Sequence, residues 1–251
     1  DYASTLIEQL KDNPHLEIVK AEDYARPFYL SENWPEGQRP YRMENGRAII
    51  EINGTLLPSL GLWESFYGYQ GYDSILAQAE MAASDPAVSQ IVLWANSGGG
   101  AVDRCFETAE SLAQLSAKKP ILGVADSHAY SACYALLVAA NEIQLSSTAA
   151  VGSIGVIQTH VEYSKLFESW GVNYTLIYSG AQKADGNPYE TLNKSAVDRF
   201  QSEVDSLRDQ FASWVSDQRG LSIEDVMNTE AGIYRGLSAV EVGLADHVRH
   251  P

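Results

Sequence analysis

The run VLWANSGGGAVDRCFETAESLAQLSAKKPILGVADSHAYSACYA, residues 92–135, holds two strand-then-helix units in succession. Val92 to Ala95 is a short apolar strand, followed by the glycine turn Ser97-Gly98-Gly99-Gly100 and a helix from about Val102 to Ala117. Pro120 to Ala125 is the next strand, and a second, more apolar helix begins near Ser131. Aliphatic runs of this length, punctuated by Gly and Pro, read as buried strands, and the longer stretches between them read as helices. Such alternation predicts an α/β fold: parallel strands, right-handed crossover helices, and ligand sites just outside the carboxyl ends of the strands. Gly99 and Ser131 both fall at such ends.

The pattern extends in both directions. Upstream, Ala48-Ile49-Ile50-Glu51-Ile52 is a strand that the turn pair Asn53-Gly54 is expected to end. Asp73-Ser74 can cap a helix to about Ala83, with Ile75, Leu76, Ala79 and Ala82 or Ala83 on one face, and Gln90 to Trp94 opens the next strand. Residues 58–72 carry Trp63, Phe66, Tyr67, Tyr69 and Tyr72 among glycines without a clear period and read as an aromatic loop. Before residue 46, Pro14, Pro27, Pro35 and Pro40 interrupt any long element, so residues 1–45 are expected to form an irregular N-terminal arm and residues 46–251 the folded domain. Downstream, Val172 to Tyr178 reads as a strand leading into the loop Ser179-Gly180-Ala181-Gln182-Lys183. From Lys194 to Arg219, Val197, Phe200, Val204, Leu207, Phe211 and Trp214 step by three and four, which marks one amphipathic helix stopped by Gly220.

Composition removes several classes of function. With 17 basic and 33 acidic residues the formal charge is −16, and such a chain lacks the cationic footprint that nucleic acid requires. Apolar residues at 45% against 20% charged supply a sizeable core. The two cysteines, Cys105 and Cys133, form no disulfide framework and fall in no metal-ligand spacing, so neither a metal nor another cofactor is called for. The longest apolar stretch, near Ala132 to Ala140, is about half a membrane span, and no span is expected in this chain.

Three features could carry chemistry. Ser131 stands where a strand-to-helix turn should end, which exposes a hydroxyl beside the next backbone amide; the same position also suits a plain helix N-cap. The glycines at 98–100 let backbone N–H groups approach developing negative charge, so the amides of Gly99 and Ala132 could form an oxyanion hole, although glycines after a strand often make only a turn. A phosphate loop lacks its Gly-Lys-Ser/Thr ending here. Of the five histidines, only His128 lies near Ser131, and it is too close in sequence to face it readily. Lysine can serve as a serine's base when desolvation or positive neighbours favour the neutral amine, and Lys183, in a small-residue loop after a strand, is the candidate; a solvated surface lysine is the alternative.

Taken in order and spacing, these pieces over residues 47–248 resemble the signal peptide peptidase A family of Ser–Lys serine proteases. The landmarks are Asn96-Ser97-Gly98-Gly99-Gly100, Ala129-Tyr130-Ser131-Ala132-Cys133-Tyr134, Val151-Gly152-Ser153-Ile154-Gly155-Val156 and Ser179-Gly180-Ala181-Gln182-Lys183. The resemblance implies a Clp/crotonase-like fold and a peptide-bond hydrolase. In it Ser131 is the nucleophile, Lys183 the general base and Ser153 the hydroxyl that orients the lysine. Two departures stand out: Gly98 replaces a usual proline, and Ala132-Cys133 replaces a common Gly-Gly. The stretch after Lys183, Ala-Asp-Gly-Asn-Pro-Tyr-Glu-Thr-Leu, looks like the branch of bacteriophage prohead proteases. That branch implies scaffold or capsid proteins as substrates and a cytoplasmic setting within the procapsid. Anchored relatives imply a homo-oligomer, a ring in which serine and lysine come from neighbouring copies. A host protease of the same family, a crotonase-type acyl-CoA enzyme and a non-catalytic capsid-assembly protein remain the rival readings.

Overall fold

The computed structural model describes residues 39–60 and 68–249. In chain order its strands are β1 (Arg42–Glu44), β2 (Arg47–Leu57), β3 (Tyr69–Gly71), β4 (Gln90–Gly100), β5 (Ile121–Tyr130), β6 (Glu142–Ser146), β7 (Ala150–Gly152), β8 (Ile233–Arg235) and β9 (His247–Arg249). The helices are α1 (Tyr72–Ser84), α2 (Cys105–Ser116), α3 (Ala132–Leu137), α4 (Ser164–Ser169), α5 (Lys194–Arg219), α6 (Ile223–Met227) and α7 (Leu237–Glu241). The expected arm falls mostly on residues 1–38 and the aromatic loop mostly on 61–67, outside the described residues. At the end of the stretch assigned to the arm, β1 folds back antiparallel on β2 through Asn45-Gly46, both at positive φ, the turn chemistry that matches strand twist.

The aliphatic runs of β2, β4, β5 and β6 pair in parallel in that order, with β9 parallel beside β6. The α/β alternation read from the sequence is therefore present, as a mostly parallel sheet with interleaved helices. One face carries the main core: Ile50, Ile52, Ile91, Leu93 and Ile121 meet Ile75 of α1, Leu112 of α2 and Leu136 of α3. On the other face Ile49, Val92, Leu122 and Val124 form a small separate cluster with Trp94, over whose ring the Arg249 guanidinium lies at 4.7 Å.

Past its midpoint the sheet forks, and this fork positions the site. β5 pairs with β6 from Leu122 to Ala125, then irregular pairing moves its last residues, His128 to Tyr130, onto β7. β2 has a matching irregularity but stays beside β4 on both sides of it. Contrary to expectation, Asn53-Gly54 does not end it: the register shifts there, Gly54 takes φ +71, and the strand resumes as Thr55 to Leu57 beside Gly99 and Gly100. Asparagine and glycine are used here as a bulge, which bends a strand without terminating it.

Helix α5 has the predicted bounds. Asn193 caps it by accepting the Ala196 N–H at 2.9 Å, and Gly220 closes it at φ +65. Its C-terminal half packs most: Phe211, Ala212 and Val215 are buried and Trp214 donates to the Ala135 carbonyl at 2.8 Å, whereas in the first half Ala196 is buried and Val197 is 47% exposed. The expected strand Val172 to Tyr178 has no ladder. Its pattern suits a strand, but no described strand lies alongside to pair with it, and Ile177 is 95% exposed.

Arg219, at the end of α5, ties the last edge of the sheet. It forks onto Asp246 at 2.8 and 3.0 Å and donates to the Gly243 carbonyl, while Asp246 also accepts the Ile143 N–H at 2.7 Å. Burial pushes the Asp246 carboxyl up, but Arg219 and that N–H outweigh it and hold the group below its ordinary value. A carboxyl depressed in the folded state adds stability above its unfolded pKa and loses it as the pH falls through the folded one. Asp246→Asn is expected to lower the urea-unfolding free energy by about 2 kcal/mol at pH 7, allowing for the partial exposure of the pair. That difference should shrink below about pH 4 as the wild-type carboxylate protonates.

Candidate active site

Ser131 follows directly on β5 and precedes α3, the strand-to-helix junction expected for it. Its backbone is held at φ 51 and ψ −127, a region that residues with a Cβ rarely occupy, and it makes no side-chain cap to the helix. The plain N-cap alternative therefore does not describe it. Two bonds over-determine the turn: the Ser131 N–H donates to Gly152 O at 2.9 Å, and Ser131 O accepts the first helical N–H, from Ala135, at 3.0 Å. Behind the turn, Ala132, Cys133, Tyr134 and Ala135 are all buried, and Tyr134 donates to Leu244 O at 2.8 Å. Strain at one residue held by such a frame is characteristic of functional positions.

The glycines face this serine, but as a strand. Residues 97–100, expected as a turn, are extended within β4, with Gly99 opposite Thr55 and Gly100 opposite Leu56 beyond the β2 bulge. Gly99, at φ +99, is pressed against the Ser131 turn: a Cβ added there would lie 2.8 Å from Ser131 Cβ and 3.0 Å from the Ala132 nitrogen. Glycine is required both by φ and by this approach.

The hydroxyl of Ser97, fully buried, clips this strand in place. It donates to the Gly54 carbonyl at 2.6 Å and accepts the Gly99 N–H at 3.1 Å. The Cys133 thiol, which burial pushes up to about 12, lies against the same hydroxyl. The Gly99 amide, expected as an oxyanion donor, is thus already engaged. Gly100 stands differently. Leu56, opposite it, accepts from the Ala101 N–H at 2.8 Å, so the parallel ladder turns the N–H of Gly100 itself away from β2, on the side where Gly100 lines the cleft. The sequence did hold a signal for this: a serine two residues before a glycine amide is a side-chain turn signature.

Ser131 opens on a cleft of about 690 Å³ that is also lined by Gly98, Gly99, Gly100 and Ser153, with α5 forming its far wall. Ser153 sits at φ 57 just after β7, its N–H donating to Gly232 O at 2.8 Å. The structure thus brings Ser131, Ser153, Gly99 and Ala132 together. Lys183 is not among the residues that line this cleft. It is exposed, in a turn closed by its N–H on Gly180 O at 3.0 Å. His128 pairs instead with the adjacent Ser127, Nδ1 to Oγ at 2.7 Å, and is not in the lining either.

The segment that carries Lys183 has its own small aromatic centre. Tyr174 stacks on Tyr189 at 4.2 Å and Phe167 meets Tyr174 at 4.8 Å, and an Arg199–Asp185 ion pair joins this unit to the first half of α5. Trp170 and Ile177 of this segment are strongly exposed, as is Ile157 at the cleft. Among the described residues no group of three or more His, Cys, Asp or Glu could hold a metal ion, and no helix is long and apolar enough to cross a membrane.

A forked parallel sheet that sets a strained serine and a glycine strand against one cleft defines an α/β domain of the Clp/crotonase-like class. The chain belongs to peptidase family S49, whose profile matches residues 113–250. It is 38% identical over 244 residues to the capsid assembly protease C of Escherichia phage lambda, covering 96% of this chain and 56% of that protein. It is also 38% identical over 215 residues to the head-tail preconnector protein GP5 of Enterobacteria phage P21, covering 84% and 43%. A protein of Enterococcus faecium named as a signal peptide peptidase SppA is 30% identical over 184 residues, covering 72% and 53%. The chain thus spans about half the length of the phage relatives it matches.

Proposed function

We propose that this chain is a serine endopeptidase that processes capsid or scaffold proteins during the assembly of a phage head. The observation that carries the reading is Ser131, held at a strained strand-to-helix turn against a glycine strand in an open cleft. Ser131 Oγ attacks the scissile carbonyl, the Lys183 amine takes the hydroxyl proton and passes it to the leaving amine as the C–N bond breaks, and a water that gives its proton to the same amine then releases the acyl group from Ser131, the Ser153 hydroxyl orienting the Lys183 amine throughout. The tetrahedral oxygen is held by the Ala132 N–H, one of the helix-start amides without an intrahelical acceptor, and by the glycine strand. On that strand the Gly100 N–H is better placed than that of Gly99, which Ser97 occupies. The two phage relatives, both named for roles in the virus head, support the choice of substrate.

The exposure of Lys183 fits a dyad assembled between copies. Ile157 at the cleft and Ile177 in the segment before Lys183 face solvent in the single chain, and a neighbouring copy would cover them while its cleft receives the lysine. The test is complementation. Ser131→Ala and Lys183→Ala proteins, each inactive alone, are expected to recover up to about one quarter of wild-type cleavage when mixed and reassembled, because mixed interfaces pair an intact serine with an intact lysine. No recovery in particles shown to contain both variants places the dyad within one chain. Full activity of Lys183→Ala alone removes the lysine from the mechanism.

A further inference from the structure

The far wall of the cleft presents one face of α5, with Gln201, Val204, Asp205 and Arg208 spaced to share it. Asp205 is engaged within the helix, accepting from Gln201 Nε2 at 2.7 Å. Arg208 is not satisfied. Its Nη2 donates to Met227 O at 2.9 Å, while its Nε is closed off from solvent and has no acceptor among the described residues. The nearest carboxylate, Glu230, stands 3.7 Å from Nη2, beyond hydrogen-bond reach, and is 81% exposed. A guanidinium carries five N–H donors, and Met227 O takes one of them, so donors remain on the side of Arg208 that lines the cleft.

The opposite lip of this pocket is built with strain. Glu230 and Ala231 both hold positive φ, 48 and 55, and the next residue, Gly232, supplies the carbonyl that fixes the Ser153 N–H. One turn therefore fixes a site hydroxyl and sets a carboxylate opposite Arg208.

We propose that Arg208 is a specificity residue: it receives an acidic side chain of the substrate, whose carboxylate accepts from the guanidinium N–H groups that face the cleft and takes the place that Glu230 approaches. The proposal rests on the peptidase reading above. A carboxylate is favoured over a neutral carbonyl because the bidentate pairing matches the guanidinium plane. To test it, an unfolded-proteome peptide library is digested by the wild-type protein and by Arg208→Met and Arg208→Lys, and the cut sites are mapped by mass spectrometry. In parallel, Ser131 is labelled with a fluorophosphonate probe.

The wild type is expected to enrich Glu and Asp at one position near the cut. Arg208→Met should lose about thirtyfold in kcat/KM on a Glu peptide, while its Gln counterpart changes less than about twofold. Arg208→Lys should fall between, since it keeps the charge and loses the fork. Equal labelling of all three proteins shows that they are folded. Wild-type cleavage without acidic enrichment, or an unchanged profile in Arg208→Met, overturns the proposal, as does a wild type that labels but cuts no acidic peptide. A wild type that neither labels nor cuts overturns the peptidase reading instead.

Discussion

Ser131→Ala is expected to reduce peptide cleavage at least about ten-thousandfold while leaving the far-ultraviolet circular dichroism and the assembly state unchanged. The loss follows from removing the serine hydroxyl at the junction of β5 and α3. The backbone strain does not go with it, because alanine is as poorly suited to φ 51 as serine. A second substitution separates chemistry from strain. Ser131→Gly should be equally inactive yet more stable than Ser131→Ala by about 1 kcal/mol, the relief at positive φ being partly offset by the freedom glycine gains in the unfolded chain. Urea unfolding of the pair reads the difference. Equal stability of the two would mean that the turn carries no strain, and measurable cleavage by either would assign the nucleophile elsewhere.

Gly99→Ala should be damaging for a different reason. Its new Cβ would meet Ser131 Cβ, Tyr130 O and the Ala132 nitrogen at 2.8 to 3.0 Å, two of them backbone atoms in a turn that cannot yield, and φ +99 is itself poor for alanine. A loss of about 3 kcal/mol in stability and of more than about a hundredfold in cleavage is expected. The neighbouring change makes the control: an added Cβ at Gly98 meets nothing within 4 Å, so Gly98→Ala should change stability by less than about 0.5 kcal/mol. If both variants behaved alike, contact with the Ser131 turn could not be the reason for glycine at 99.

The contrast between these neighbours shows where sequence reading succeeds. Ile91 to Ala95 and Ile121 to Ala125 were legible because aliphatic runs between glycines and prolines have few alternatives to a buried strand. Helix α5 was legible because its period and its terminal glycine agree. Ser131, Ser153 and Gly99, each legible from its motif, line one cleft, with the Ala132 amide beside Gly99. What could not be read was long-range. The Ser97 hydroxyl meets a carbonyl 43 residues away, which converts an apparent turn into a strand. Residues 172–178 have a strand's pattern, but a pattern does not supply a neighbouring ladder. Arg208 and Glu230 reach the cleft from far downstream, through helix packing that no local spacing encodes.

The uneven anchoring of α5 has a mechanical consequence. From Val215, where the helix is clamped, to Gln201 at the cleft is 14 residues, about 21 Å along the axis. Pivoting this rod by only about 5° at its clamped end would sweep Gln201 through about 2 Å, enough to widen or narrow the gap above Ser131 by much of a peptide's thickness. A push on the N-terminal half, near the Arg199–Asp185 pair, would therefore change the aperture through leverage, working against the contacts that bury Ala196.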